Sequence, residues 1–208
     1  MKKNLFIALE GIDGSGKSTQ IQLLEQNLIK DGHKVYTTFE PTKSEIGVMI
    51  RHIFAHKTEA DHKTIAALFL ADRLHHLLNK TDGLLKKMAE GYTVISDRYY
   101  FSSYAYHSVH MDMPWVINAN KLCSDLLKPD LTIFIDIDPK ESMQRINKNR
   151  QSVELYETLD NLTQVKNKYL EAFELLKSEE AIFCVNGHQS VAQIANDIYT
   201  KVKAISVK

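Results

Sequence analysis

The residues from Gly11 to Ser18, Gly-Ile-Asp-Gly-Ser-Gly-Lys-Ser, have the composition of a device for holding phosphate. They fit GxxxxGK(S/T), with the apolar run Leu5 to Leu9 before them and an amphipathic stretch after, so a strand leads in and a helix leads out. Glycines let the main chain curl until successive N–H groups face one anion, and the helix N-terminus adds positive potential. In this setting Lys17 is expected to bridge β- and γ-phosphates, and Ser18 to offer its hydroxyl to Mg²⁺. Gly11, Gly14, Ser15, Gly16 and Thr19 complete the expected cradle for ATP or GTP. The loop alone does not name the reaction, because switches, motors and transferases share it.

Charged residues close the apolar runs: Glu10-Gly11, Glu40-Pro41, Asp97-Arg98 and Asp136-Ile137-Asp138. In an open parallel sheet ligands gather beyond the carboxyl ends of the strands, so these groups are expected on one rim. Phosphoryl transfer needs such an array, since two phosphates repel and must be aligned by cations while an acidic group holds Mg²⁺. A rival reading starts from Asn79-Lys80-Thr81-Asp82, which has the NKxD spacing that reads guanine in GTPase switches. There the motif ends a strand, whereas Leu68 to Leu78 has helical spacing and helix-forming residues, and no DxxG follows any apolar run. His52 and His56 share a helical face but lack a third ligand, and read as surface histidines.

The elements that must hold these groups are legible as apolar or β-branched runs at Leu5 to Leu9, Val35 to Phe39, Thr93 to Ser96, Leu131 to Ile137 and Ala181 to Val185. Most are continuously apolar, as strands buried on both faces are, and helical patterns separate them, which predicts an α/β chain with a parallel sheet. Ile21, Leu24, Leu28 and Ile29 are expected on one helical face, with Gly32 as the left-handed stop. The gap between Phe39 and Thr93 is too long for a plain connection, and its helical middle, Ile65 to Leu78, is expected to build a substrate pocket. The polar stretch Asn147 to Glu154 reads as a flap or a surface loop. Met111 to Pro114 and Trp115 are expected to pack a helix start.

Bulk properties narrow the classes. The 208 residues suit one domain, and 26 basic against 26 acidic residues give no field that would draw the chain to nucleic acid or anionic membrane. The apolar run after Lys2-Lys3 is cut short by Glu10 and is no signal peptide, and no run reaches membrane-spanning length, so a cytoplasmic protein is expected. Cys123 and Cys184 lack metal-site spacing, and Cys184, inside an apolar run, reads as a small core residue.

The motifs in order resemble thymidylate kinases over nearly the whole chain: the phosphate loop with Asp13, Glu40-Pro41, Gly47 to Arg51, Phe69-Leu70-Ala71-Asp72-Arg73, Asp97-Arg98-Tyr99, Ser102-Ser103, Ala105-Tyr106 and Pro129-Asp130-Leu131. The resemblance implies a three-layer P-loop NTPase fold, with a five-stranded parallel sheet, helices on both faces and a short lid. It implies one kinase domain over 1–208, with an acceptor-binding insertion at about 41–91 and a lid at about 145–157. The implied reaction moves the γ-phosphoryl group of Mg-ATP to dTMP, in a homodimer. Asp13 would hold the deoxyribose 3′-hydroxyl, and Arg51 and Arg98 the acceptor phosphate. Phe69 would stack on the base, Arg73 would donate to a thymine carbonyl, and Tyr106 would close over the sugar. Glu40, Pro41, Ser102, Ser103 and His107 belong to the same implied pocket. Asp97 would join Ser18 at Mg²⁺. Members without an arginine in the phosphate loop carry catalytic arginines in the lid; position 14 here is Gly, so Arg145 and Arg150 are the candidates, Arg150 first. The segment Asn186-Gly187-His188-Gln189 resembles the adenine loop, with Gln189 at ATP. Lys17, Asp97, Arg98 and Arg150 form the implied catalytic set.

One short stretch and one single residue depart from the family pattern. Thr42-Lys43-Ser44 stands where glycines usually follow Glu40-Pro41, and His107 replaces a glutamine expected to touch the pyrimidine. A neutral imidazole offers one donor and one acceptor on separate atoms and does not reproduce a side-chain amide. A kinase for another deoxynucleoside monophosphate, or for several, is therefore the same-class alternative.

Overall fold

The computed structural model describes residues 4–149 and 155–206. Strand β1 (Phe6–Glu10) enters the phosphate loop and leaves it as helix α1 (Lys17–Lys30), followed by β2 (Val35–Phe39). Three helices, α2 (Glu45–Phe54), α3 (His62–Leu78) and α4 (Leu84–Ala89), fill the long gap before β3 (Thr93–Asp97). Helices α5 (Tyr100–His107), α6 (Met113–Ala119) and α7 (Lys121–Leu126) lead to β4 (Leu131–Asp136). The chain closes with α8 (Pro139–Asn149), α9 (Leu159–Leu176), β5 (Ile182–Asn186) and α10 (Val191–Ser206).

The sheet is five-stranded and wholly parallel, in the order β2-β3-β1-β4-β5. The two-residue period of a strand sends alternate side chains to opposite faces. Phe6 and Ala8 of β1 thus join one core with Val94, Phe134, Tyr100, Phe101, Tyr169 and Phe173, under α5 and α9. Leu5, Ile7 and Leu9 join the other with Leu24, Leu28, Ile194 and Ile198, under α1 and α10. A third, smaller cluster of Ile50, Ile53, Ile65 and Phe69 ties α2 to α3. The α/β expectation and the five strand positions match this architecture, in which helices cover both faces of the sheet.

Local chemistry sets the ends of the elements. At the end of α1, Gly32 has φ +84, and the amide of His33 bonds the Leu28 carbonyl, which satisfies an orphaned helix acceptor. Ser44, Asp61 and Thr158 cap α2, α3 and α9 by accepting from backbone amides. Asn79 stops α3, its side chain accepting from the amides of Thr81 and Asp82, so NKxD here is a helix stop. Among the described residues no helix is long and apolar enough to cross a membrane.

Three packing expectations are corrected. Ile29 is exposed, because the buried stripe of α1 runs through Lys17, Gln20, Ile21, Leu24 and Leu28 instead. Cys184 is exposed while Cys123 is buried; β5 is an edge strand whose residues alternate, and its inward neighbour is Val185. Trp115 lies in the first turn of α6 but on its exposed side, and Met113 is the residue that packs inward.

Candidate active site

All five strands point the same way, so their carboxyl ends bring Glu10, Glu40, Asp97 and Asp136 to a single rim. Two cavities open there. One is a cleft of about 1170 Å³ along the phosphate loop, lined by Gly14 to Thr19, Asp97, Arg145 and Gln189 among others. The second, of about 230 Å³, is lined by Pro41, Arg51, Phe69, Ser102, Ser103, Tyr106 and His107. Asp13, Phe39 and Arg98 line both.

Positive φ angles at Gly11, Gly14 and Gly16 produce the curl of the loop. At Gly14 the requirement is doubled: a Cβ would lie 2.8 Å from the Ser142 carbonyl oxygen and 3.0 Å from Ile146, both on α8. The Ser142 hydroxyl donates to the Asp13 carbonyl oxygen, seating α8 against the loop. Lys17 is buried and donates to the carbonyl oxygens of Gly11 and Ile12 at 3.0 and 3.2 Å. Burial and the neighbouring Arg98 cation push its pKa down, against the pull of Asp97, Asp13 and Glu10.

The donor set at the loop fits a hard divalent cation. Ser18 Oγ lies 3.4 Å from Asp97 Oδ2, and Asp97 Oδ1 is buried with no hydrogen-bond partner among the described residues. Ser15 Oγ is likewise buried and unpartnered among them.

Arg98 stands between the cavities. Its backbone is left-handed at φ +71, which is costly for a residue with a Cβ and concentrates at functional sites. One guanidinium nitrogen donates to Asp13 at 2.5 Å and to the Tyr106 hydroxyl at 3.1 Å. The other donates to the Gly11 carbonyl, Ser102 and Tyr169. Burial opposes its charge, but the surrounding oxygens win and raise its pKa well above the usual arginine value. Burial likewise works against ionisation of Asp13, yet the Arg98 and Lys17 charges overcome it and lower its pKa. Behind Arg98 lies Glu10, whose carboxylate accepts from the Tyr99 and Ser102 amides and from the Ser102 and Tyr169 hydroxyls. Burial raises its pKa.

Arg51 donates to the Pro41 carbonyl at 2.8 Å and lines the smaller cavity together with Arg98. Phe69 forms a wall, its ring 5.8 Å from Phe54 and 5.2 Å from His107. His107 is buried and its imidazole makes no hydrogen bond among the described residues; its Nδ1 is fully enclosed. Burial, aided by Arg73, His110 and His62, pushes its pKa down to about 3, so the ring is neutral.

Arg73 occupies a different place from the other candidates. It is wholly buried behind the cavity wall, and its donors go to Glu40, Ser103, Asn120 and the Tyr99 carbonyl. Ser103, which does line the cavity, accepts from it at 2.9 Å. Glu40 pairs with Arg73 at 2.7 Å and with His76 at 3.1 Å, so it holds the wall in place. Arg145 pairs with Glu141 at 2.6 Å and reaches the carbonyls of Ser15 and Gly187 at 3.5 Å. Arg150 lies outside the described residues.

Sequence reasoning missed several contributors. Asp72 accepts from the Thr42 amide and from the hydroxyls of Thr42 and Ser44, at 2.6 to 2.7 Å. The Thr42-Lys43-Ser44 departure is therefore a turn anchored by a buried carboxylate, and Gly47 admits it closely, since a Cβ there would overlap Thr42 at 2.0 Å. Phe54, Tyr156 and Glu157 also line the smaller cavity. The signal for the last two was an aromatic and an acid directly after the polar flap.

Comparison with known proteins agrees with this geometry. The thymidylate kinase family profile matches residues 9–198. The chain is similar to a probable thymidylate kinase of Methanocaldococcus jannaschii, at 36% identity over 206 residues covering 99% of each chain. It is equally similar to a probable thymidylate kinase of Pyrococcus horikoshii, 36% identical over 207 residues and 97% of each chain. The thymidylate kinase of Shouchella clausii is 34% identical over 209 residues, covering 97% of this chain and 96% of that one. Phosphate loop, paired cavities and whole-length similarity together establish that the chain belongs to the thymidylate kinase family.

Proposed function

We propose that this chain transfers the γ-phosphoryl group of ATP to dTMP, giving dTDP and ADP. The observation that carries the reading is the shared boundary: Asp13 and Arg98 line both the phosphate-loop cleft and the smaller cavity. A donor polyphosphate in one and an acceptor monophosphate in the other would meet at the Arg98 guanidinium, with Lys17 behind the donor. An acceptor phosphate oxygen would then attack the γ-phosphorus in line, without a covalent enzyme intermediate, and positioning would supply most of the acceleration. Ser18 and Asp97 would hold Mg²⁺, which neutralises charge on the β- and γ-phosphates.

In this reading Arg51 and Arg98 grip the acceptor phosphate, Asp13 and Tyr106 meet the sugar, and Phe69 stacks on the base. The wall behind the base is held by Glu40 and Arg73, and Ser103 passes that rigidity to the cavity surface. Arg145 and Gln189 serve the ATP side. Arg150 supplies the transition-state cation from a lid over about 145–157, and residues 41–91 form the acceptor-binding insertion of a single kinase domain. The protein acts as a cytoplasmic homodimer.

One observation favours acceptance of more than one pyrimidine. His107 lines the smaller cavity with a neutral ring that no side-chain hydrogen bond among the described residues holds in one tautomer. The test is ADP formation from Mg-ATP with each common ribo- and deoxynucleoside monophosphate. Turnover highest with dTMP supports the reading, turnover with dCMP or dUMP at similar kcat/KM supports the broader one, and acceptor-independent hydrolysis alone would remove both.

A further inference from the structure

Three separated stretches of chain meet beside the smaller cavity through their aromatic side chains. His62 opens α3, His110 lies in the turn after α5, and Tyr156 precedes α9. The two imidazoles are stacked face to face, centroids 3.6 Å apart and planes within 10°. The Tyr156 hydroxyl is 3.2 Å from His62 Nδ1, and its ring lies nearly parallel to both imidazoles at about 6 Å. Its other neighbours are Phe54, edge-on at 5.3 Å, and Tyr106 at 6.0 Å. Tyr156 is buried and lines the cavity, whereas His62 is half-buried and His110 exposed, and neither histidine is part of the lining.

We propose that His62 and His110 are positioning residues for acceptor binding: their stacked rings form a platform that hydrogen-bonds the Tyr156 hydroxyl and fixes Tyr156 as the outer wall of the acceptor cavity. The inference rests on the reading that this cavity takes dTMP. An aromatic ring that lines a cavity through van der Waals contact alone keeps rotational freedom, which acceptor binding must remove. A hydrogen bond at its far tip, from a group held by α3 and by the turn after α5, removes that freedom beforehand. The Asn161 side-chain amide donates to the Tyr156 carbonyl at 2.9 Å and fixes the backbone, so the hydroxyl contact governs the ring. The same α3 carries Phe69 and the same α5 carries His107, and the platform therefore locks the outer wall to the elements that carry the inner walls.

The proposal separates two contributions that variants can divide. His62→Phe keeps a stacking ring and loses the hydrogen bond; Tyr156→Phe loses the same bond from the other side; His110→Ala removes the stacking partner. Losing a neutral hydrogen bond costs about 0.5–1.5 kcal/mol, so each is expected to raise the KM and the Kd for dTMP about two- to twelvefold. The KM for ATP and the kcat at saturating dTMP are expected to stay within about twofold. The double variant His62→Phe/Tyr156→Phe is expected to match either single one, because both remove a single bond. His62→Gln, which restores a donor and acceptor near the hydroxyl, is expected to recover part of the loss, and thermal unfolding checks that every variant is folded. Equal losses toward ATP and dTMP, multiplicative losses in the double variant, or unchanged dTMP affinity in His62→Phe would overturn the proposal. Direct titration of the wild-type protein with dTMP separates the two ideas: failure of wild type to bind dTMP sinks the underlying assignment of the cavity, while normal binding by both wild type and variants sinks only the platform.

Discussion

Arg98 and Asp13 are joined at 2.5 Å and both line each of the two cavities, so one ion pair serves as their common boundary. The pair is partly open to solvent, and its role is directional: Asp13 and Tyr106 aim a guanidinium that the left-handed backbone at position 98 already presents to the rim.

Replacing that cation tests the arrangement most directly. Arg98→Ala is expected to lower kcat by about 10²–10³, the usual loss when one preorganised stabiliser of transition-state charge is removed. Arg98→Lys is expected to restore little, because the three donors on one ammonium nitrogen cannot serve the five acceptors that the two guanidinium nitrogens bond. Steady-state ADP formation with saturating dTMP is the measurement, and near-normal turnover of Arg98→Ala would remove Arg98 from the mechanism.

Phe69 should separate the two substrates. Phe69→Ala is expected to raise the KM for dTMP about two- to twelvefold, the cost of an aromatic stack near 0.5–1.5 kcal/mol, and to change the KM for ATP far less. Equal shifts for both would place the ring's effect in the fold rather than at the base.

The Glu40–Arg73 pair governs stability more than chemistry. Both side chains are essentially inaccessible, and Arg73→Met leaves a buried carboxylate facing only His76. Stranding one partner of such a pair costs about 3–5 kcal/mol, so urea unfolding should show a large loss, partly recovered in Glu40→Gln/Arg73→Met. A loss below about 1 kcal/mol would mean the pair behaves like an exposed one.

His107 gives a pH signature. Its folded pKa, down to about 3, lies below the unfolded value near 6.5, so the unfolded chain binds the proton first as pH falls. The stability that depends on a neutral His107 is complete above about pH 6.5 and declines below it at up to about 1.4 kcal/mol per pH unit. In His107→Gln that part of the acid slope should vanish, and chemical denaturation at several pH values between 5 and 8 measures it. An unchanged slope would mean that the imidazole ionises in the folded protein as freely as in water. The same variant, tested against dTMP and dCMP, reads whether the imidazole sets base preference.

The strands and the phosphate loop were legible because each is written in consecutive residues: a continuous apolar run, then glycines and a lysine at fixed spacing. The acceptor cavity was legible in part. Phe69, Arg98 and Tyr106 were given roles by motif, while Asp72, inside the same motif as Phe69, was given none, since its partners Thr42 and Ser44 lie on the far side of α2 in the chain. Tyr156 carried only its place just after the polar flap, and that place does not reveal that its partners are His62 and Phe54. Ile29 and Cys184 misled for a simpler reason: hydrophobicity says that a residue tolerates burial, while the helix phase and the edge position of β5 decided otherwise.

The fit of Gly14 beneath α8 also constrains how such a protein can change over generations. With the Ser142 carbonyl 2.8 Å from where a Cβ would sit, position 14 admits no side chain until α8 moves, and α8 itself carries Arg145. A side chain at position 14 and α8 in its present seat are thus sterically incompatible in this scaffold. A lineage that gains one there must reseat the helix in the same stroke.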